Sequence, residues 1–317
     1  MTTPYYSTLS LFAGSGNPVL AASVARAFGV PLGACLTRVF PDGERHLEIH
    51  DSVRDRDVFA IQPTSPPVAD HLLELLLFAD ACRRAGADRL TAVVPYFGYA
   101  RHDRRATGRE PIAARLVADL MATAGIGRIV AVDLHTPATE GVFPMPVEHV
   151  SAVDLIAAGL GRPPDNAVIV APDLGAVGLA ERYSALLTLP MASIHKTRTG
   201  PEAVQVRELV GNVRGRAPII VDDMISTGHT IAAAVRALLA AGCLPEITVV
   251  VTHGLFVGAS AQVLGGLPIG RLITTDTVPQ RPDLPLPVTV VTVAPLLADV
   301  IGRLHRSESL NEILVHA

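Results

Sequence analysis

No surplus of basic residues marks this chain. Its 26 Lys and Arg stand against 30 Asp and Glu, a formal net charge of −4, and the arginines are scattered rather than striped. Such a balance lacks the electrostatic footprint with which proteins neutralise nucleic-acid backbones, so no nucleic-acid partner is expected. Cysteine is scarce too. Cys35, Cys82 and Cys243 are an odd number without metal-ligand spacing, each within an apolar segment, which suits reduced packing thiols in a cytoplasmic protein. Met1 to Ser10 has no basic segment followed by an apolar one, so no secretory signal is expected. The stretch 248–270 carries no Lys, Arg, Asp or Glu over a bilayer-spanning length. His253, Gln262, several glycines and Pro268 interrupt it, and its β-branched start predicts a buried strand and a short helix rather than a membrane span. Low-complexity tracts and coiled-coil heptads are missing. So is a Gly-x-x-x-x-Gly-Lys-Ser/Thr run, which means that any nucleoside triphosphate must be held without a P-loop. Gly14-Ser-Gly16 lacks the third glycine of a dinucleotide fingerprint, and Asn17 as N-cap with Pro18 at N1 accounts for it.

What is present is apolar: hydrophobic residues make up 49% and charged residues 18% of the 317, with a mean hydropathy of +0.39. That is the balance of a folded chain with a large core, and the length favours two domains over one. Short β-branched runs predict strands over 57–62, 89–96, 128–134, 167–171, 218–223, 247–252 and 272–275. Helical periodicity predicts helices over 18–28, 71–85, 111–124, 178–187 and 230–241, several closed by Gly29, Gly86, Gly125 and Gly242. The alternation occurs in both halves and reads as an α/β fold of mostly parallel sheets flanked by helices. The boundary is expected between 150 and 165, with Gly161-Arg-Pro-Pro-Asp165 as a break. This gives blocks 1–150 and 151–290, followed by a C-terminal segment 291–317 packing back on the first block.

The sharpest chemical signal is Pro218-Ile-Ile-Val-Asp222-Asp223-Met-Ile-Ser226-Thr227-Gly228-His229-Thr230, an apolar strand that ends in two acids and a hydroxyl-rich loop before a helix. Ligands of open α/β sheets bind at the carboxyl ends of strands, so these side chains emerge where a substrate lies. The helix start offers amides and a positive dipole end, which together with the Thr227 and Thr230 hydroxyls can hold a phosphate dianion. Gly228 lets the backbone approach closely. Two adjacent carboxylates suit the vicinal hydroxyls of a ribose, whose donors match acceptor-only groups. The bland reading is a capped helix behind a solvated acidic turn.

Other segments carry weaker signals of their own. Arg101 and Arg104 follow a strand and can clamp phosphates with guanidinium forks, or be ordinary surface arginines. His135 closes the strand that begins at Ile129, where a hydrogen-bonded structural histidine is commoner than a metal ligand. Lys196-Thr-Arg198 precedes a Gly-Pro turn, the setting of a mobile loop or of a solvated basic turn. Phe40, Asp42 and Glu44 sit in a turn between two strand-like runs, where Phe can stack on a purine, although Pro-Asp-Gly is a turn signal in its own right.

The loop at 222–230 resembles the phosphoribosyl-binding motif of phosphoribosyltransferases and of ribose-phosphate pyrophosphokinases. The remaining segments resemble the pyrophosphokinase family in its own order: Phe40-Pro-Asp42-Gly-Glu44, Pro95 to Arg104, Gly108-Arg-Glu-Pro-Ile, Val132-Asp-Leu-His135, Ala171-Pro-Asp173 and the ending Ser307-Glu-Ser309. The resemblance runs from about Leu11 to Leu314. It implies two phosphoribosyltransferase-like domains and a transfer of diphosphate from Mg-ATP to ribose 5-phosphate. It also implies site roles. Phe40, Asp42, Glu44, Arg101, His102, Asp103 and Arg104 face ATP, the first three completing the site of a neighbouring subunit in a homo-oligomer built on dimers, up to a hexamer. His135 ligates the Mg2+ carried by ATP, and Asp173 helps to bind a second Mg2+ near the ribose. Lys196 and Arg198 stabilise the transferring group, and Asp222, Asp223, Ser226, Thr227, Gly228, His229 and Thr230 bind ribose 5-phosphate.

Four positions depart from the family pattern. His102 stands where Gln is common, Thr197 where the family has Arg, Ser226 where many members have a third acid, and His229 where Gly or Ala is usual. Two rivals therefore stand beside the main reading: a phosphoribosyltransferase with no use for ATP, and a catalytically weak regulatory relative.

Overall fold

The computed structural model describes residues 9–105, 107–198 and 204–315, the side chains of 196–198 and 204–207 excepted. The chain divides into two units: Met1–Ser151 with Thr277–Pro279 and Thr292–Ala317, and Ala152–Asp276 with Gln280–Val291. The Gly161–Asp165 stretch, expected as a break, is a loop inside the second unit.

The first unit runs β1 (Leu9–Ala13), α1 (Pro18–Phe28), β2 (Cys35–Val39), β3 (Arg45–Ile49), β4 (Asp57–Ile61), α2 (Val68–Arg84), β5 (Arg89–Val94), α3 (Ala113–Ala124), β6 (Arg128–Val132) and β7 (Val147–Val150). Five strands pair in the order β1-β4-β5-β6-β7, all parallel, while β2 and β3 form a separate antiparallel hairpin. Strand β4 is buried at every position, as expected where helices cover both faces of a sheet. Helix α1 starts as its sequence dictates: the Asn17 side chain accepts from Leu20 N–H, and Pro18 occupies the first turn. Helix α2 begins three residues before the predicted start, because Val68-Ala-Asp70 are helix-compatible ahead of the first core residue and Asp70 favours the positive end of the dipole. Helix α3 begins two residues late: Pro111 disfavours helical backbone before it, and Ile112 is the non-helical cap.

The second unit runs α4 (Val153–Leu160), β8 (Ala167–Ala171), α5 (Val177–Leu187), β9 (Met191–Arg198), β10 (Val204–Val210), β11 (Ala217–Ile225), α6 (His229–Ala240), β12 (Ile247–Gly254), α7 (Ser260–Gly265), β13 (Ile269–Thr275) and β14 (Val288–Val291). Its sheet has the order β10-β9-β8-β11-β12-β13-β14, parallel throughout except for the β9/β10 edge pair. Strand β8 is buried at every position, β11 over its first five residues. On the far side Arg271 donates to the Gly159 and Leu160 carbonyls at 2.8 and 2.9 Å, satisfying the end of α4. The uncharged stretch 248–270 folds as β12, α7 and the start of β13, and among the described residues no helix is long and apolar enough to cross a membrane.

Helix α8 (Ala294–His305) belongs to the first unit, where Gly302 lies against the Phe28 ring of α1. Buried His305 donates from Nδ1 to Asp57 Oδ2 at 2.8 Å, and Arg89 donates to the same oxygen at 2.6 Å. An imidazole and a guanidinium thus share one oxygen of a buried carboxyl at the start of β4. Beyond α8, Leu314 bridges Val150 and Val315 N–H donates to the His149 carbonyl at 2.8 Å.

Candidate active site

In the second unit β11 runs past the two acids. Asp222 pairs with Val251, and the ladder continues through Met224 and Ile225 opposite His253 and Gly254. Asp222 and Asp223 therefore sit inside the strand instead of ending it, because the strand on the partner side is long enough to keep pairing. The loop that follows is pinned from below: the Ile225 carbonyl accepts from Leu255 and Phe256, and the Ser226 carbonyl accepts from Val257 at 3.0 Å. Gly228 has φ +84°, and a Cβ there would come within 3.1 Å of the Leu264 side chain, so both backbone and space call for glycine. Helix α6 starts at His229, one residue before the predicted start, and brings the positive end of its dipole to the Ser226–Gly228 loop. His229 Nδ1 lies 3.0 Å from Thr227 Oγ1, so the unusual imidazole is turned onto a hydroxyl of the cradle.

Burial and like charge act together at this edge. Asp222 is pushed well above the usual carboxylate range, first by burial, then by the negative charges of Asp223 and Asp173 and by a hydrogen bond with the Asp223 side chain. Two carboxyls of β11 and one from the turn after β8 therefore lie within each other's influence, an arrangement that gains from hydroxyl donors or a cation. Asp173 has a structural duty that sequence reading missed: its Oδ1 accepts the N–H groups of Gly175 and Ala176 at 2.9 and 3.3 Å, capping the turn that leads into α5. The Asp-x-Gly spacing is the signal that marks such a cap.

Lys196 and Arg198 lie on β9, opposite Val206 and Val204 of β10. The predicted loop is thus strand at these positions, because β10 returns antiparallel and pairs through Arg198. Their side chains lie outside the described residues, as does the Gly200-Pro201 turn.

The first unit assembles its edge from several loops. Arg101 and His102 lie on a short 3-10 turn, Ala100–His102, that follows Tyr99 at φ +71°; they and Arg104 are exposed, and Asp103 is half-buried. Asp103 Oδ2 accepts the hydroxyls of Thr136 and Thr139 at 2.9 and 3.2 Å. His135 does not close β6. The strand ends at Val132, Asp133 turns the backbone at φ +37°, and His135 stands exposed on the loop beyond. That loop is held by a histidine overlooked in the sequence. Buried His149 accepts the Leu134 N–H at Nε2, 2.8 Å, and donates from Nδ1 to Glu140 at 2.8 Å. Only the strand pairing of β6 with β7 brings these residues together, so no local motif could reveal them.

On the hairpin, Phe40, Asp42 and Glu44 are all exposed. Asp42 Oδ1 accepts Glu44 N–H at 3.0 Å, and Phe40 N–H donates to the Glu44 carbonyl at 2.8 Å, so the turn chemistry is local and complete. Phe40 presents a ring 41% exposed, with the Arg38 guanidinium 5.8 Å from its centroid.

Comparison with known proteins agrees with this geometry. Residues 9–125 match the family described as the N-terminal domain of ribose phosphate pyrophosphokinase, and residues 200–315 match the phosphoribosyl synthetase-associated domain. Ribose-phosphate pyrophosphokinase of Gloeobacter violaceus is 40% identical over 308 residues, covering 96% of this chain and 92% of that protein. The Staphylococcus saprophyticus protein of the same name is 41% identical over 310 residues, 96% of each. The crystal structure of phosphoribosylpyrophosphate synthetase from Mycobacterium smegmatis superposes with a TM-score of 0.89 at 40% identity, over 95% of this chain and 100% of the other. On these likenesses, and with both sheet edges furnished as described, the chain belongs to the ribose-phosphate pyrophosphokinase family.

Proposed function

We propose that the chain transfers the β,γ-diphosphate of Mg-ATP to the 1-hydroxyl of ribose 5-phosphate, releasing AMP and forming 5-phosphoribosyl 1-diphosphate. One observation carries this reading best. Within residues 222–230, at the carboxyl edge of a parallel sheet, the second unit joins a carboxyl pair, a hydroxyl loop and a helix N-terminus, the fittings a ribose monophosphate needs. Asp222 and Asp223 accept from the sugar hydroxyls. Ser226, Thr227, the Gly228 backbone, His229 and Thr230 surround the 5-phosphate.

The first unit supplies the nucleotide side, with Arg101 and Arg104 on the triphosphate and His102 toward the base. Phe40, Asp42 and Glu44 close over the purine bound by a neighbouring copy, in a homo-oligomer built on dimers. Phosphoryl transfer asks a protein for little covalent chemistry, so catalysis consists of holding the sugar 1-hydroxyl in line with the β-phosphorus and neutralising charge on the moving group. Lys196 and Arg198 do the latter.

The donors fit Mg2+. Asp173 offers a hard carboxylate, and His135 stands exposed beside the arginine loop. Among the described residues no group of three His, Cys, Asp or Glu converges tightly enough to hold an ion alone; Asp173 and His135 would each hold Mg2+ together with substrate oxygens, as is usual for this ion. When bound, Mg2+ withdraws charge from the phosphate oxygens. The three free thiols suit a reducing, cytoplasmic setting. Incubation with ATP, Mg2+ and ribose 5-phosphate tests the reading: AMP must appear in step with the diphosphorylated sugar. Binding of both substrates without AMP would return the chain to the class of silent regulatory relatives.

A further inference from the structure

In the run Arg101-His-Asp-Arg104, three side chains are exposed and Asp103 alone is turned partly inward. Its Oδ2 accepts two hydroxyls, from Thr136 at 2.9 Å and from Thr139 at 3.2 Å, and those hydroxyls lie 3.1 Å from each other. Thr139 is fully buried. Each threonine has one hydroxyl hydrogen, and both hydroxyls lie within hydrogen-bond reach of the same carboxylate oxygen, which is an acceptor-only group when ionised. The contact spans 33 residues of sequence.

The other end of the same loop is fixed in a similar way. Gly98 N–H donates to Thr64 Oγ1 at 2.7 Å, and a Cβ on Gly98 would fall 2.5 Å from the Thr64 carbonyl oxygen. The arginine loop is therefore anchored where it leaves β5 and again at Asp103. The loop on the far side of the second anchor is the one carrying His135, itself braced by His149 to Leu134 N–H and to Glu140.

We propose that Asp103, which the family resemblance turns toward ATP, is instead a positioning residue: by gathering Thr136 and Thr139 it locks the loop of Arg101, His102 and Arg104 to the loop of His135, and sets nucleotide affinity without touching the nucleotide. This rests on the reading of the first unit as the nucleotide side. Exposed arginines on an untethered loop lose conformational entropy when they close on a triphosphate, and a tethered loop has already lost it. The latch thus acts on the affinity for Mg-ATP and leaves ribose 5-phosphate alone.

The test is initial-rate AMP release by the full chain with each substrate varied in turn. Asp103→Ala and the near-isosteric pair Thr136→Val with Thr139→Val each raise the KM for ATP about tenfold, with the KM for ribose 5-phosphate within twofold of the parent. Asp103→Asn recovers most of the loss, because its amide oxygen accepts the same two hydroxyls. Arg101→Ala serves as the contact control and raises the KM for ATP. Equal damage from Asp103→Asn and Asp103→Ala, with the threonine pair silent, overturns the proposal and makes Asp103 a charge acting at the nucleotide. An unchanged KM for ATP in both Arg101→Ala and Asp103→Ala overturns the nucleotide reading itself, and the proposal with it. Thermal melts check the fold, and the single Thr136→Val, at a half-buried site, replaces the pair if the latter does not fold.

Discussion

The carboxyl edges of the two sheets solve the placement of side chains in opposite ways. In the second unit one contiguous segment, Asp222 to Thr230, runs strand, loop and helix, so backbone geometry alone delivers acids, hydroxyls and amides to one place. In the first unit the corresponding groups lie on separate loops, and hydrogen bonds across 33 and 34 residues bring those loops together. The first arrangement is acidic and partly buried, the second exposed and largely basic. A contiguous site is insensitive to distant substitutions. A distributed one depends on residues, such as Thr64 and Thr139, that need never meet a substrate.

The strongest break of this contrast is Lys196→Ala, which belongs to neither binding edge. Loss of a charge that stabilises the moving diphosphate lowers kcat for AMP release by about 10²–10³, with both KM values changed only a few-fold. Near-normal turnover would remove Lys196 from the chemistry. Next comes Asp222→Asn, which replaces a carboxyl on the sugar side by an amide. Its expected signature is a KM for ribose 5-phosphate raised roughly 10- to 100-fold and a KM for ATP left near the parent value, the mirror image of a substitution on the arginine loop.

Asp222→Asn also has a stability signature whose sign follows from burial. The wild-type carboxyl is held well above its ordinary range, so the folded protein keeps a proton that the unfolded chain gives up above a pKa of about 3.9. Wild-type stability therefore falls as pH rises from that value toward the raised folded one, and the amide abolishes the fall. In magnesium-free buffer the urea midpoint of the variant should exceed that of the wild type at pH 8 and lose the advantage near pH 4. A constant difference across that range would mean that Asp222 ionises as an ordinary carboxylate.

The same contrast explains what was legible in the sequence. Strand, acids, hydroxyls and glycine within 13 residues, 218–230, read directly as a phosphate and sugar cradle, and the parallel α/β class followed from β-branched runs alternating with helical ones. The helix start at Asn17-Pro18 was written in its capping chemistry. Hidden from local reading were the relations between distant residues: the Asp103 latch, the His149 brace and the clasp of Asp57 by Arg89 and His305. No periodicity or motif encodes them. Lengths were misjudged where partners decide them, as at β11, which continues past its acids along β12, and at Lys196–Arg198, drawn into strand by β10.

A smaller effect is expected from Gly228→Ala. The positive φ strains any side chain by about 1–2 kcal/mol, and Leu264 must shift to admit the methyl group. Chemical denaturation should show that loss, and the KM for ribose 5-phosphate should rise because the loop can no longer approach the phosphate closely. A stability loss without any change in KM would limit Gly228 to the fold of the loop.

The smallest effect belongs to His229→Ala, and its direction decides what the unusual imidazole does. His229 Nδ1 and Thr227 Oγ1 are 3.0 Å apart, so in the ligand-free protein the hydroxyl assigned to the phosphate is already engaged. Breaking a hydrogen bond at a partly exposed site costs about 0.5–1.5 kcal/mol, a cost that ribose 5-phosphate must meet if it needs that hydroxyl and the imidazole offers nothing in return. Removing the ring then lowers the KM for ribose 5-phosphate by about two- to threefold with kcat unchanged, and Thr227→Val raises it. If His229→Ala raises the KM instead, the imidazole donates to the phosphate itself, and the departure at this position is an added ligand in the cradle rather than an obstruction.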